Sequence, residues 1–266
     1  MKLQLYFCTL FLFFISAEKL FSQTSTTKDE YTLVWEENFD KPNLNEADWN
    51  FELGDGCPNN CGWGNNERQQ YTKNNHRIEN GNLIITAKKD GDNYTSTRIT
   101  TRGKHEFLYG IIEAKAKLPT GKGIWPAFWM LGANIKDVGW PTCGEIDILE
   151  YVGKEPQTIY TTIHTKDTHG DHASSHKTIF ENIEKGYHTY KMEWTPQKID
   201  FYVDNKFVYS YNPEDKTIGN WPFFEPQYII VNMAVGGNFG GPEVDDSIFP
   251  QEYSIDYIKV YQKNKQ

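Results

Sequence analysis

The sequence is short of the features that mark membrane, fibrous and nucleic-acid-binding chains. No apolar run reaches the roughly 18 residues of a helical membrane span, so no such span is expected. Positive charge is in deficit, with Lys+Arg at 27 against Asp+Glu at 36, a formal charge of −9. Such a surface repels nucleic acid and anionic lipid over most of its area, so no nucleic-acid partner is expected. Repeats, low-complexity tracts and helical hydrophobic periods of useful length are all missing. Cysteine is scarce, 4 in 266 residues, and the spacing of Cys57, Cys61 and Cys143 supports no zinc site. Aromatics, by contrast, are plentiful: 8 Trp, 16 Tyr and 16 Phe, which excludes disorder for the bulk of the chain. With 21 Gly and 12 Pro, the composition suits a loop-rich all-β protein.

The N-terminus reads as a processing signal. Lys2 precedes a mostly apolar stretch, residues 3–15, and small residues follow at Ser16, Ala17 and Ser22. This is the pattern of a secretory signal peptide, assigned here to residues 1–22. Residues 23–30 read as a short spacer. The expected destination is outside the cytoplasm: free secretion, the periplasm or the cell surface. Cys57 and Cys61 bracket Pro-Asn-Asn, and in an oxidising compartment they can close a small loop. Paired and unpaired states both stay open. Cys143 is left single and reads as a small buried hydrophobe.

Short β-rich segments recur along the rest of the chain, at 83–87, 111–118, 127–131, 145–152, 158–164, 187–194, 199–203, 228–234 and 253–261. Several alternate. Ile112, Ala114 and Ala116 share one face of their segment, and Glu113, Lys115 and Lys117 share the other. Asn80-Gly81 marks a tight turn before a strand. Many strands at regular spacing predict an all-β sandwich or jelly roll, as one domain over residues 31–263.

An acidic cluster stands out within this pattern. Residues 144–153 read Gly-Glu-Ile-Asp-Ile-Leu-Glu-Tyr-Val-Gly. On a strand, Glu145 and Asp147 point the same way and Glu150 has the wrong parity. One extra residue, a β-bulge, restores it and leaves Ile146, Ile148 and Leu149 mostly facing the core. Three carboxylates so close raise at least one pKa, and a raised carboxyl can serve as a general acid. Glycoside hydrolysis needs two carboxyls with opposite tasks. An exposed acidic strand or a calcium site is the plainer alternative. Tryptophans tilt the choice: Trp63, Trp125, Trp129 and Trp140 sit in Gly- and Pro-rich surroundings. Indole faces stack on sugar rings, while Asn65, Asn66, Glu67 and Arg98 suit sugar hydroxyls.

Three of these motifs carry a family resemblance. Gly-Trp-Gly-Asn-Asn-Glu (62–67), Trp-Pro-Ala-Phe-Trp-Met-Leu-Gly (125–132) and Gly-Glu-Ile-Asp-Ile-Leu-Glu (144–150) resemble glycoside hydrolase family sixteen, and within it the bacterial laminarinases. The resemblance runs from about Tyr31 to Gln262. It implies a concanavalin-like β-jelly-roll sandwich of two antiparallel sheets with an open cleft on the concave face. It implies a secreted retaining endo-β-glucanase acting on β-1,3-glucan, with mixed-linkage β-1,3/1,4-glucan as a further substrate. Glu145 matches the nucleophile, Glu150 the acid/base, and Asp147 the residue that tunes them. Trp125, Trp129 and Trp140 match sugar-stacking positions, Asn65 and Arg98 match polar subsites, and His164 falls on the leaving-group side. No cofactor is required for catalysis. A structural calcium is implied at Glu37, Gly81 (through its carbonyl) and Asp256. The partner is the polysaccharide, and the protein is expected to be a monomer. Thr97 stands where the family more often has glycine; a β-branched residue resists positive φ, which makes the approach of Arg98 the point of departure.

His164, His169, His172 and His176 form a second cluster, with Asp167 and Asp171 between them. A polar loop whose histidines face water is the preferred reading over a metal site. Two alternatives to the glucanase stay open: a lectin-like sandwich without catalysis, and a galactan hydrolase such as an agarase. Three clustered carboxylates are hard to account for in a mere binding module.

Overall fold

The computed structural model describes residues 30–264; the expected signal peptide and residues 23–29 of the spacer lie outside them. Seventeen strands form among the described residues. In chain order they are β1 (Tyr31–Glu37), β2 (Asn50–Phe51), β3 (Gln69–Tyr71), β4 (His76–Glu79), β5 (Asn82–Asp90) and β6 (Asn93–Ser96). Next come β7 (Arg98–Thr100), β8 (Gly110–Lys117), β9 (Ile124–Gly132), β10 (Glu145–Glu150), β11 (Thr158–His164) and β12 (Ser174–Ile179). The last are β13 (His188–Trp194), β14 (Ile199–Val203), β15 (Lys206–Tyr211), β16 (Gln227–Val235) and β17 (Gln251–Lys263). Each segment expected from the sequence coincides with one of these. The strands not anticipated are β2, β3, β6 and β7, too short to show a period, and β1, β4, β12 and β15, which sit on edges or carry mixed polarity.

The strands form two sheets. The ten-stranded sheet runs β15-β14-β13-β8-β17-β5-β6-β3, with β1 added to β17 and β4 to β5. The seven-stranded sheet runs β12-β11-β10-β9-β16-β7-β2. Pairing is antiparallel except between β3 and β6, which are parallel.

The core lies between the sheets, and alternation explains which residues enter it. On β8, Ile112, Ala114 and Ala116 are buried as expected, and β13 supplies Tyr190, Met192 and Trp194. On β17 the inward set is Tyr253, Ile255, Ile258 and Val260, a change of parity that follows a register shift between Ile255 and Tyr257. The seven-stranded sheet contributes Phe128 and Met130 from β9, Ile159 and Ile163 from β11, and Ile229, Val231 and Met233 from β16. Each large apolar side chain so buried contributes about 1.5–3 kcal/mol. Cys57 and Cys61 are joined by a disulfide, and Cys143 is buried and free.

Candidate active site

The acid cluster sits at the centre of the seven-stranded sheet. The register of β10 shifts between Asp147 and Glu150 against β11, and between Asp147 and Leu149 against β9. This is the one-residue bulge that the parity of Glu150 demands. Ile146, Ile148 and Leu149 all pack into the core. Glu145, Asp147 and Glu150 therefore share the opposite face, opposite His164, Thr162 and Tyr160 of β11.

The two glutamates have contrasting partners. Trp140 Nε1 donates to Glu145 Oε2 at 2.8 Å, and His164 Nε2 lies 3.7 Å from Glu145 Oε1. Gly170 N–H donates to His164 Nδ1 at 3.2 Å, a bond that only the neutral ring accepts and that leaves its proton on Nε2; the charged ring carries a proton on Nε2 as well. Both Glu145 oxygens thus face N–H groups, which favours its carboxylate. Glu150 Oε1 accepts from Trp125 Nε1 at 3.1 Å, but its Oε2 meets the Thr162 hydroxyl, also at 3.1 Å. Thr162 in turn bonds Ser175 at 3.0 Å with either oxygen as donor. A hydroxyl can reverse its bond, so Glu150 can hold a proton on Oε2 or release it without losing a partner.

Burial raises the pKa of all three acids. For Glu150 the negative charges of Asp147 and Glu145 add to burial, and its carboxyl is held well above the usual range. Burial and Asp147 raise Glu145, while His164 and the Trp140 N–H oppose them. Asp147 is raised by burial, with His164 3.4 Å from its Oδ2 opposing. For His164, burial alone lowers the pKa; Asp147, Glu145 and Glu150 outweigh it and push it up to about 9. Glu145, Asp147 and His164 also form a compact group of metal-ligating type.

Beside the acids, three tryptophans define the surface. Trp140 is 47% exposed. Trp125 and Trp129 are half-buried on β9, so neither is a plain core residue. Trp129 rests on a buried relay. Its Nε1 donates to Asn232 Oδ1 (2.7 Å), Asn232 Nδ2 to the Tyr71 oxygen (3.0 Å), and the Tyr71 hydroxyl to Glu67 Oε2 (3.1 Å). Gln69 and Asn65 also donate to Glu67. Glu67, read from the sequence as a sugar partner, is instead buried beneath that surface.

Arg98 is buried too. Its guanidinium lies between the Trp63 and Trp129 rings, 4.4 and 4.9 Å from their centroids, and its Nε pairs with Glu52. Thr97 keeps negative φ, is buried, and donates to Thr72 O at 2.8 Å. Arg98 thus packs against the Trp63 and Trp129 indoles. Sequence reasoning missed Thr162, Ser175, Tyr71 and Glu52. Threonines on a strand carry no signal of their own.

The implied calcium residues converge on one stretch of β17. Leu83 pairs with Ile255 and Glu37 with Ile258, so Gly81, Asp256 and Glu37 meet where β17 leaves β5 and takes up β1. Glu37 already accepts from Phe39 N–H (2.9 Å) and Trp49 Nε1 (3.1 Å), and Asp256 pairs with Lys115 at 2.7 Å. Hard oxygens suit calcium, and Asp256 is the carboxylate that would have to exchange its partner. His169, His172 and His176 are exposed. His176 is not on a loop, however: it lies on β12, stacked on Tyr209 at 5.3 Å.

The comparisons agree with this geometry. Residues 64–259 match the family model "Glycosyl hydrolases family 16". The chain is 66% identical to a laminarinase from Flavobacterium sp. UMI-01, covering 87% of this chain and 100% of that one, with a TM-score of 0.86. It is 40% identical to the laminarinase catalytic domain from Thermotoga maritima MSB8, covering 89% and 100%, with a TM-score of 0.83. The "Beta-glucanase" of Rhodothermus marinus is 37% identical over 265 residues, 93% of this chain and 91% of that protein.

Proposed function

The chain belongs to glycosyl hydrolases family 16, and on that premise we propose that it is a retaining endo-β-1,3-glucanase of the laminarin-cleaving type. The observation that carries this reading is the contrast within β10. Glu145 faces N–H donors on both oxygens, and Glu150 keeps one oxygen on a reversible hydroxyl.

In the first step Glu150 delivers its proton to the glycosidic oxygen while the Glu145 carboxylate attacks the anomeric carbon. The leaving glucan departs and a glycosyl ester on Glu145 remains. Glu150, now a carboxylate, accepts a proton from water, which hydrolyses the ester and restores both groups. Asp147 sets the balance: its charge discourages ionisation of Glu150 and of Glu145, while His164 offsets the charge on Glu145. Trp129 and Trp140 offer ring faces to the sugar, and Trp125 fixes one oxygen of the acid.

The test is reducing-end release from laminarin, with Glu145→Gln as the blank. Mixed-linkage β-1,3/1,4-glucan, which we also assign as a substrate, and agarose run in parallel. Release from laminarin by the wild type alone is expected. Release from agarose instead would keep the chemistry and replace the substrate, and silence on all three with glucan still bound would favour the lectin reading.

Three further assignments belong to this proposal. Export through residues 1–22 is supported by the charge-then-apolar pattern of that stretch and suits the Cys57–Cys61 disulfide. Sequencing the N-terminus of the secreted protein checks it. The enzyme acts as a monomer, which sedimentation tests. A calcium ion held by Glu37, Gly81 and Asp256 would serve the fold alone; a melting temperature indifferent to calcium after chelation would remove it.

A further inference from the structure

Phe239 belongs to none of the motifs above. It lies on a helical turn, Gly237–Gly240, just past β16. Its ring stands edge-on to two others: Trp125 of β9 at 5.4 Å and Tyr160 of β11 at 4.9 Å, both at 81°. Those strands flank β10, and both aromatics bear on the same acid. Trp125 bonds Glu150 through its indole N–H, and Tyr160 is its register partner. Phe239 therefore joins the two sides of the wall beside Glu150 across the strand that carries it.

The turn is anchored at its start. Gly236 N–H donates to Gly123 O and Asn238 N–H to Asn65 O, each at 2.7 Å, and Asn66 Nδ2 donates to Asn238 Oδ1 at 2.8 Å. Gly237 has φ +82°, and a Cβ there would lie 2.8 Å from Asn65 O, so this close approach needs glycine. An aromatic held this firmly cannot easily swing off the wall.

We propose that Phe239 is a positioning residue for Glu150: by bridging Trp125 and Tyr160 it closes the wall beside that carboxyl against water and keeps it in its acid form. The inference rests on the reading of Glu150 as the acid/base. Burial is the largest influence raising this carboxyl, so water entry should lower it. The charged groups facing Glu150 are Asp147 and Glu145 on its own strand and His164 on β11. β9 presents only the Trp125 indole. Beyond the wall, Lys154 sits over the Phe239 ring at 5.6 Å, Lys177 over the Tyr160 ring at 5.7 Å, and Glu155 accepts from the Tyr160 hydroxyl.

The test compares pH profiles of kcat/KM on laminarin for wild type, Phe239→Ala and Phe239→Leu. Phe239→Ala should move the alkaline limb down by about one pH unit. Phe239→Leu, which keeps apolar bulk, should recover at least half of that shift, and it also serves if the alanine variant fails to fold. The same shift must persist when Lys154→Gln is added, because otherwise the freed lysine, not water, moves the limb. A profile superimposable on wild type, or a limb moved upward, would overturn the proposal. A wild-type control on 2,4-dinitrophenyl β-laminaribioside separates the two levels. Its leaving group needs no proton, so the alkaline limb should vanish there; a limb that stays would overturn the acid assignment of Glu150 itself, and the role of Phe239 with it.

Discussion

The two sheets of this protein obey different rules. On the ten-stranded sheet, apolar residues turn inward and charged ones outward in pairs, such as Lys115 with Asp256 and Arg77 with Glu252. On the seven-stranded sheet the far side is buried as well. Every residue of β16 is buried, and Asn232, Arg98, Thr162, Asp147 and Glu150 are buried polar groups on or beside it. The ion pairs Lys115–Asp256 and Arg77–Glu252 on the first sheet are partly solvated and individually cheap to lose. The buried polar groups on the second hold one another through directed bonds, and each carries a desolvation cost that its partners must offset. The difference separates a surface built for solubility from one built for chemistry.

The largest expected effect comes from removing the nucleophile that stands beside these buried charges. Glu145→Gln should lower kcat on laminarin on the order of 10³-fold or more. Stability should move the other way. A carboxyl whose folded pKa is raised weakens the fold once pH climbs past its unfolded value, so the glutamine variant should melt higher than wild type at pH 7. That gain should shrink toward pH 4, where both states hold the proton. A lower melting temperature at pH 7 would mean that Glu145 supports the fold and would blur the contrast between the sheets.

Asp147→Asn comes next. It removes a negative charge that raises Glu150, so Glu150 should lose its proton at lower pH and the alkaline limb of kcat/KM should move down. The rate loss should be about 10–100-fold, smaller than for the nucleophile. An unmoved limb would show that burial alone sets the acid.

Asn232→Leu interrupts the relay beneath Trp129 and leaves the Tyr71 oxygen without its donor. We expect about 1–3 kcal/mol of lost stability in denaturant titration, with KM for laminarin raised more than kcat is lowered. Equal loss of both would argue that the relay reaches the acids.

At the small end, Lys115→Met on the ten-stranded sheet removes a half-exposed ion pair with Asp256. Less than about 1 kcal/mol should be lost, with kinetics unchanged. A larger loss would show that this sheet, too, depends on directed polar bonds.

This contrast also explains what could be read from the sequence. The alternation of β8 is visible because water and core impose opposite demands on its faces. Glu145, Asp147 and Glu150 were legible because acids among aliphatics break that pattern, and their parity alone called for a bulge. Arg98 and Glu67 could be flagged as polar residues suited to a sugar, but not sorted into those facing the groove and those holding it up. That distinction depends on which strand lies beside which, and β7 and β2 are too short to announce themselves. The polar β12, which carries His176, read as a loop because an edge strand with a polar face lacks an apolar period.

The bulge in β10 has a consequence for how this protein tolerates change. Substitutions at Ile148 or Leu149 would alter packing and leave the count of peptide units intact. Losing a single residue there would be different in kind: the ladders on either side could close up, the sandwich could persist, and Glu150 would turn from the groove toward the interior. The spacing of the acid from the nucleophile is recorded in chain length, so the reaction is more exposed to a lost codon than to most exchanged ones.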